Sequence, residues 1–418
     1  MLIEEARKGY ANDLVKKAAE FENISLEKFL RLISHGYVVM PKNVLRDTAP
    51  KAIGMMCSTK VNVNVGTSID HVNLDEEVEK VRVAEKFGAD AVMDLSTGGD
   101  LDAIRRRLIR ETRLPFGTVP IYQAARGCRI VDMSEDDFFE VVEKQCRDGV
   151  DFMTIHAGVN WESVEKLKRA KRLVGIVSRG GAITLAWMLH NEKENPYYKE
   201  FDYLLEILKQ YDVTISLGDA YRPGSIFDAD RVKLMEYVVL GELVERCRER
   251  GVQCIVEGPG HVSIDLIEPS VKAMKIATNN APLYLLGPLV TDVALGYDHI
   301  AAAIGAAIAA KAGADFICYV TPSEHLGLPT VEDVKEGVIA AKIAAHAADL
   351  IKNEKAKEWD YEMSIARKKL DWEKQFKLSL DPEKAREIWS RRRSNYACSM
   401  CGDLCAIKIA EKFFEISL

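Results

Sequence analysis

From Lys60 onward the chain alternates short β-branched apolar runs with longer amphipathic stretches. KVNVNV precedes DEEVEKVRVAEKFG, AVMDLS precedes DLDAIRRRLIRE, and GTVPIY precedes EDDFFEVVEKQCRDG. The first member of each pair carries a strand pattern and the second the period of a helix with one apolar face. The rhythm continues through DFMTIH, VGIVS, VTISLG, CIVEG, LYLLG and FICYV and stops near Leu350. Such alternation predicts an α/β fold, a parallel sheet covered by helices, and its length fits a (β/α)8 TIM-type barrel of about 250 residues or more. The nine strand candidates exceed the eight places, so one is expected outside the barrel. A doubly wound open sheet is the alternative, but no Gly-x-Gly-x-x-Gly turn follows the first strand.

Both flanks read as helical. LIEEARKGYANDLVKKAAEF and SLEKFLRLISHG, the second opened by Ser25, predict a cap or oligomer segment over residues 1–57. The barrel is expected over 58–350. A charged tail, KNEKAKEWDYEMSIARKKLDWEKQFKLSL and then DPEKAREIWSRRRSNYA, fills 351–418 with a terminal cysteine run. A net charge of −7 with 29% charged residues, and basic runs no longer than Arg391–Arg393, argue against a nucleic-acid partner. There is no charged-then-apolar leader, and no apolar run nears the ~20 residues that span a bilayer. A cytoplasmic protein with small-molecule partners is expected.

Nine cysteines in a chain of this length do not suit a disulfide scaffold. Cys57, Cys128, Cys146, Cys247, Cys254 and Cys318 are scattered singly and read as small core residues. Cys398, Cys401 and Cys405 stand together in CSMCGDLCAIK. Three thiolates on a four-iron cluster leave one iron open to a substrate or cofactor. A zinc knuckle usually takes four ligands in paired spacing, and a disulfide leaves one thiol over, so an iron–sulfur site is favoured.

In a barrel the chemistry gathers at the carboxyl ends of the strands. There the sequence places Asn64, Met93 with Asp94, Tyr122, His156, Ser178 with Arg179, Asp219 with Arg222, Glu257, Tyr284 and His325. A lone polar residue at such a position is more often a helix cap, but the series is harder to dismiss. In EGPGHV, Glu257 and His261 share one loop, and His261 with His325 could bind a divalent metal, although two imidazoles do not specify one. Arg179 and Arg222 lie beside glycines that let backbone N–H groups approach an anion, so phosphate binding is the natural reading and surface salt bridges the bland one.

The motifs VNVNVGTS, AVMDLSTGG, GTVPIYQA, TIHAGV, GIVSRGG, SLGDAYRPGS, VEGPGHV, LGPLVTD, GYDHI, CYVTPSEHLGLP, KIAAHAADL and CSMCG, in this order, resemble the phosphomethylpyrimidine synthase family of non-classical radical S-adenosylmethionine enzymes over nearly the whole chain. The resemblance implies conversion of 5-aminoimidazole ribotide to 4-amino-5-hydroxymethyl-2-methylpyrimidine phosphate in thiamine biosynthesis, with S-adenosyl-L-methionine and an electron donor. By matching motif it implies that Asn64, Met93, Tyr122, His156, Ser178, Arg179, Gly180, Asp219, Ala220, Tyr221, Arg222, Glu257 and Tyr284 hold the substrate. It implies zinc on His261 and His325, a 4Fe-4S cluster on Cys398, Cys401 and Cys405, and a homodimer in which one subunit's tail closes the other's site. The chain departs from the commonest pattern in its two-then-three cysteine spacing, in DAYRPGS for DGLRPGS and in HVSID for HVPM. A paralogue, 5-hydroxybenzimidazole synthase of anaerobic cobamide biosynthesis, uses the same ribotide and is the alternative reading. Readings of another class are a cluster-carrying barrel without catalysis and a zinc-dependent lyase or hydrolase.

Overall fold

In the computed structural model, residues 1–391, 398 and 400–414 are described. Residues 392–397, which include Arg392 and Arg393 of the basic run and the end of the expected tail helix, lie outside the described residues, as do Ser399 and residues 415–418.

Eight parallel strands close into a barrel: β1 Lys60–Val65, β2 Ala91–Asp94, β3 Phe116–Thr118, β4 Phe152–Ile155, β5 Thr214–Leu217, β6 Cys254–Gly258, β7 Leu283–Leu286 and β8 Phe316–Cys318. Each pairs with the next in sequence, and β8 pairs back with β1 through Phe316 opposite Lys60. The expected (β/α)8 barrel is therefore the observed fold. Side chains alternate across a strand, so while Asn62 and Asn64 of β1 share a hydrogen bond at the lumen, Val61, Val63 and Val65 turn outward and are buried. Four helices position the site: α1 Pro120–Gly127, α2 Arg179–Asn191, α3 Arg231–Arg250 and α4 Asp298–Ala312.

Two strand readings are corrected. VGIVS is not a strand; β4 pairs directly with β5, Phe152 opposite Thr214, so a closed barrel has no edge left for it. Gly175 there has φ +79°, and Leu173 and Val174 are exposed. GTVPIY is a strand only to Thr118. Pro120, with φ fixed and no N–H to give a ladder, starts α1 instead, which puts Tyr122 in the helix's first turn.

The amino-terminal segment holds three helices, Leu2–Arg7, Asp13–Phe21 and Leu26–Ser34, and a two-stranded pairing of Val38–Val39 with Ile53–Gly54. The first two, expected as one helix, are separated at Gly9, whose φ is +73°. Ser25 precedes the third without a side-chain capping bond. The segment meets the amino-terminal end of the strands: Glu22 pairs with the buried Lys60 ammonium at 2.7 Å, and Asp212 accepts from Leu2 N–H. That end of a barrel serves stability, which leaves the opposite rim for chemistry.

The chain forms two compact units, residues 1–349 and 350–418. In the second, helices Glu354–Lys368, Trp372–Leu378 and Pro382–Ser390 surround buried Phe376, whose ring meets Trp389 edge-on at 5.6 Å. A short turn, Gly402–Leu404, and helix Ala406–Phe414 follow.

Candidate active site

At the carboxyl rim one cavity is lined by Asn64 of β1, Met93 of β2, Tyr122 of α1, His156 after β4, Ser178 and Arg179 at the start of α2, Arg222 after β5, Glu257 of β6 and Tyr284 of β7. It is a small cavity of about 70 Å³ that opens to solvent at the rim. A second lobe, lined by Gly66, Thr67, Tyr319, Glu324 and His325, shares Asn64, Leu95 and Arg179 with the first.

Four of the expected residues stand behind this wall. Gly180 and Gly181 are needed where the first turn of α2 meets its neighbours: a Cβ on Gly180 would strike the His156 ring, and one on Gly181 the Ala220 carbonyl. Asp219 is fully buried; Arg222 Nε lies 3.4 Å from it and Lys233 Nζ binds it closely. Ala220 and Tyr221 are buried with their N–H groups on Glu236, at 2.7 and 3.2 Å, and the Tyr221 hydroxyl is 2.6 Å from Ser163. The pair therefore shapes the loop backbone.

Burial and charge set the protonation states. Burial, aided by Arg222, pushes His156 down to about 3, so it is a neutral imidazole, and its Nδ1 is buried with no hydrogen-bond partner among the described residues. Burial raises Glu257, against the pull of Arg222 3.6 Å away; Thr154 and Ser216 donate to its Oε1 at 2.6 and 2.9 Å. The Arg179 guanidinium stacks 4.8 Å from the Tyr122 ring centre. It opens α2, whose first-turn N–H groups have no intrahelical acceptor and carry a partial positive charge; Ser178 accepts from one of them, Gly181 N–H, at 3.2 Å. Cation and helix end together make this the anion-receptive corner.

His261 and His325 come together, their ring centres 5.2 Å apart and tilted by 54°. Two imidazoles bound through one nitrogen each to a tetrahedral zinc, at Zn–N of about 2.0–2.1 Å, have centres about 5 Å apart. The rings thus fit a shared ion. Hydrogen bonds from Leu289 N–H to Gly260 and from Val262 N–H to Leu289 fix the His261 loop, and His325 sits in the left-handed region at φ +63°. Among the described residues no group of three or more His, Cys, Asp or Glu forms a metal cage, so water or substrate would supply the remaining ligands.

In the tail, Gly402 N–H donates to the Cys398 carbonyl and Leu404 N–H to that of Cys401, a turn that gathers the three cysteines. Backbone N–H groups of Cys401 and Met400 hold Cys398 below the usual thiol range; desolvation and the neighbouring Cys398 and Cys405 sulfurs push Cys401 up. A depressed thiol beside two others suits an electrophilic metal.

Of the six single cysteines, Cys128 is exposed rather than core, and Cys318 lines the cavity, its thiol pushed up to about 11 by burial and 3.0 Å from Asn64 Nδ2. Lys233, Glu236, Thr154, Ser216, Glu324, Asp292 and Asp298 were not singled out from sequence. Only Asp292, in LVTD at the end of an apolar run, carried a positional signal.

Fold and site together define a (β/α)8-barrel protein with an anion-receptive small-molecule pocket at its carboxyl rim and a thiol triplet on a separate unit. The chain belongs to the Radical SAM ThiC family, whose model matches residues 1–412. It is 74% identical over 421 residues to the phosphomethylpyrimidine synthase of Archaeoglobus fulgidus, covering 99% of each. It is 55% identical to that of Methanocaldococcus jannaschii, over 98% of both chains, and 56% identical to that of Pyrococcus furiosus, over 98% of this chain and 97% of the relative. Among the described residues no helix is long and apolar enough to cross a membrane.

Proposed function

We propose that the chain is a radical S-adenosylmethionine enzyme that rearranges 5-aminoimidazole ribotide into 4-amino-5-hydroxymethyl-2-methylpyrimidine phosphate. The observation that carries this is the rim cavity in which Arg179 and the first turn of α2 face Asn64, His156 and Glu257. A phosphate fits the first two and a polar heterocycle with its ribose fits the rest. The name borne by relatives at 55–74% identity supports the same product and gives no support to the hydroxybenzimidazole alternative.

The residues divide the work. Arg179, pinned on Tyr122, and the α2 amino terminus hold the phosphate. Neutral His156 offers its Nδ1, which has no partner among the described residues, to a ring or ribose group, and Glu257, fixed by Thr154 and Ser216, orients another. Asp219 and Glu257 keep Arg222 against the wall. Cys398, Cys401 and Cys405 would hold a 4Fe-4S cluster, which when bound supplies, from an external donor, the electron that cleaves S-adenosylmethionine reductively. His261 and His325 would hold a divalent ion, taken as zinc. The cysteine tail of a second copy is proposed to close the cavity and exclude water.

Reduced, reconstituted protein given S-adenosylmethionine and the ribotide tests this. It should release 5′-deoxyadenosine and methionine, and Cys401→Ala should release neither while its barrel still binds the ribotide. Cleavage that survives Cys401→Ala would sink the cluster assignment.

A further inference from the structure

The carboxylate of Asp292 reaches two places at once. Its Oδ1 lies 2.8 Å from His261 Nδ1. Its Oδ2 accepts from the Ser225 hydroxyl at 2.9 Å and from Ile226 N–H at 3.1 Å. Ser225 and Ile226 continue the loop that carries Asp219 and Arg222. One side chain from the loop after β7 therefore ties the imidazole after β6 to the loop after β5.

A carboxylate only accepts, so the His261 proton is on Nδ1 and the Nε2 lone pair is left free for an ion. Ring orientation and basicity are then set by the same bond. Asp298, the first residue of α4, is the carboxylate nearest His325 in the same sense: its Oδ1 is 3.4 Å from Nδ1, a longer contact, and its Oδ2 is buried with no hydrogen-bond partner among the described residues. Asp292 differs in having its second oxygen committed to the pocket loop.

We infer that Asp292 is a positioning residue that couples metal occupancy at His261 to the conformation of the 219–226 loop, so that zinc and the pocket's ligand each tighten the other's binding. The inference rests on the reading of His261 and His325 as a metal pair. Coupling is reciprocal by thermodynamic necessity, so it can be read from either ligand.

Zinc affinity of the metal-stripped full-length protein, measured by competition with a chromophoric chelator, and 5-aminoimidazole ribotide affinity, measured calorimetrically with and without zinc, test it. In the unaltered protein zinc should tighten the ribotide by about fivefold or more. Asp292→Ala should weaken zinc by about 10–100-fold and abolish the coupling. Ser225→Ala should leave zinc affinity within about twofold and reduce the coupling. Asp292→Asn keeps an oxygen for His261 but turns an amide donor toward Ile226 N–H; it should recover zinc affinity without the coupling, which a merely structural role would not do.

Zinc affinity unchanged in Asp292→Ala but lost in His261→Ala would overturn the inference while leaving the metal pair intact. Zinc affinity unchanged in His261→Ala would instead overturn the metal reading itself. Full coupling in Ser225→Ala and Asp292→Asn would overturn the loop half of the proposal. Should Asp292→Ala fail to fold, Ser225→Ala and Asp292→Asn decide the question alone.

Discussion

His156 fixes the polarity of the pocket. It follows β4, is 3% exposed, and is held near 3 by burial, against about 6.5 in an unfolded chain. The unfolded state therefore binds more protons between those values, so the folded state loses stability as pH falls below about 6.5, by up to about 1.4 kcal/mol per pH unit. Above 6.5 no such cost exists. His156→Gln should flatten this acid slope; urea titrations at pH 7 and 5.5 check it, and an unchanged slope would show that the imidazole is not buried neutral. The sequence offered His156 as a strand-end residue but could not give its charge state, because that depends on Arg222 and the walls around it. Lys233 was still less legible. On a charged helix it reads as a solvated residue, yet it is buried against Asp219 and Glu236, the latter raised by burial against the pull of the Lys233 ammonium.

Among the elements, α2 matters most to the site. In the sequence its opening SRGG reads as an anion loop in which glycines let N–H groups approach a phosphate. The structure adds a different reason for the glycines: the helix end is wedged between the His156 ring and the Ala220 carbonyl, where no Cβ fits. Gly181→Ala should displace the 219–222 loop, costing about 1–3 kcal/mol of stability and at least about tenfold in ribotide affinity. Gly175→Ala, in the same segment at φ +79° but with open space around it, should cost some stability and leave affinity unchanged. Equal affinity losses in the two variants, measured calorimetrically, would contradict the wedge. The barrel strands were legible because alternation of this length has few solutions. The two misreadings had local causes: VGIVS has strand composition but no unpaired strand to join, and Pro120 turned an apolar run into a helix start.

For the whole molecule, the sequence yielded a barrel and a cysteine-bearing tail, and the structure forms compact units at 1–349 and 350–418. Neither periodicity nor spacing reports whether the tail of one copy serves the barrel of another, as proposed above. If the tail of one copy completes the cavity of another, mixing Cys401→Ala subunits with Arg179→Ala subunits should restore about a quarter of the unaltered activity on random exchange, since about half the dimers are then mixed and each mixed dimer carries one intact pairing of its two. No recovery after verified subunit exchange would contradict tail exchange. The most direct measurement is anaerobic turnover of reconstituted, zinc-loaded protein with dithionite, S-adenosylmethionine and 5-aminoimidazole ribotide, followed by mass analysis. The account predicts a hydroxymethylpyrimidine phosphate formed together with 5′-deoxyadenosine. A hydroxybenzimidazole, or 5′-deoxyadenosine with neither ring, would contradict it.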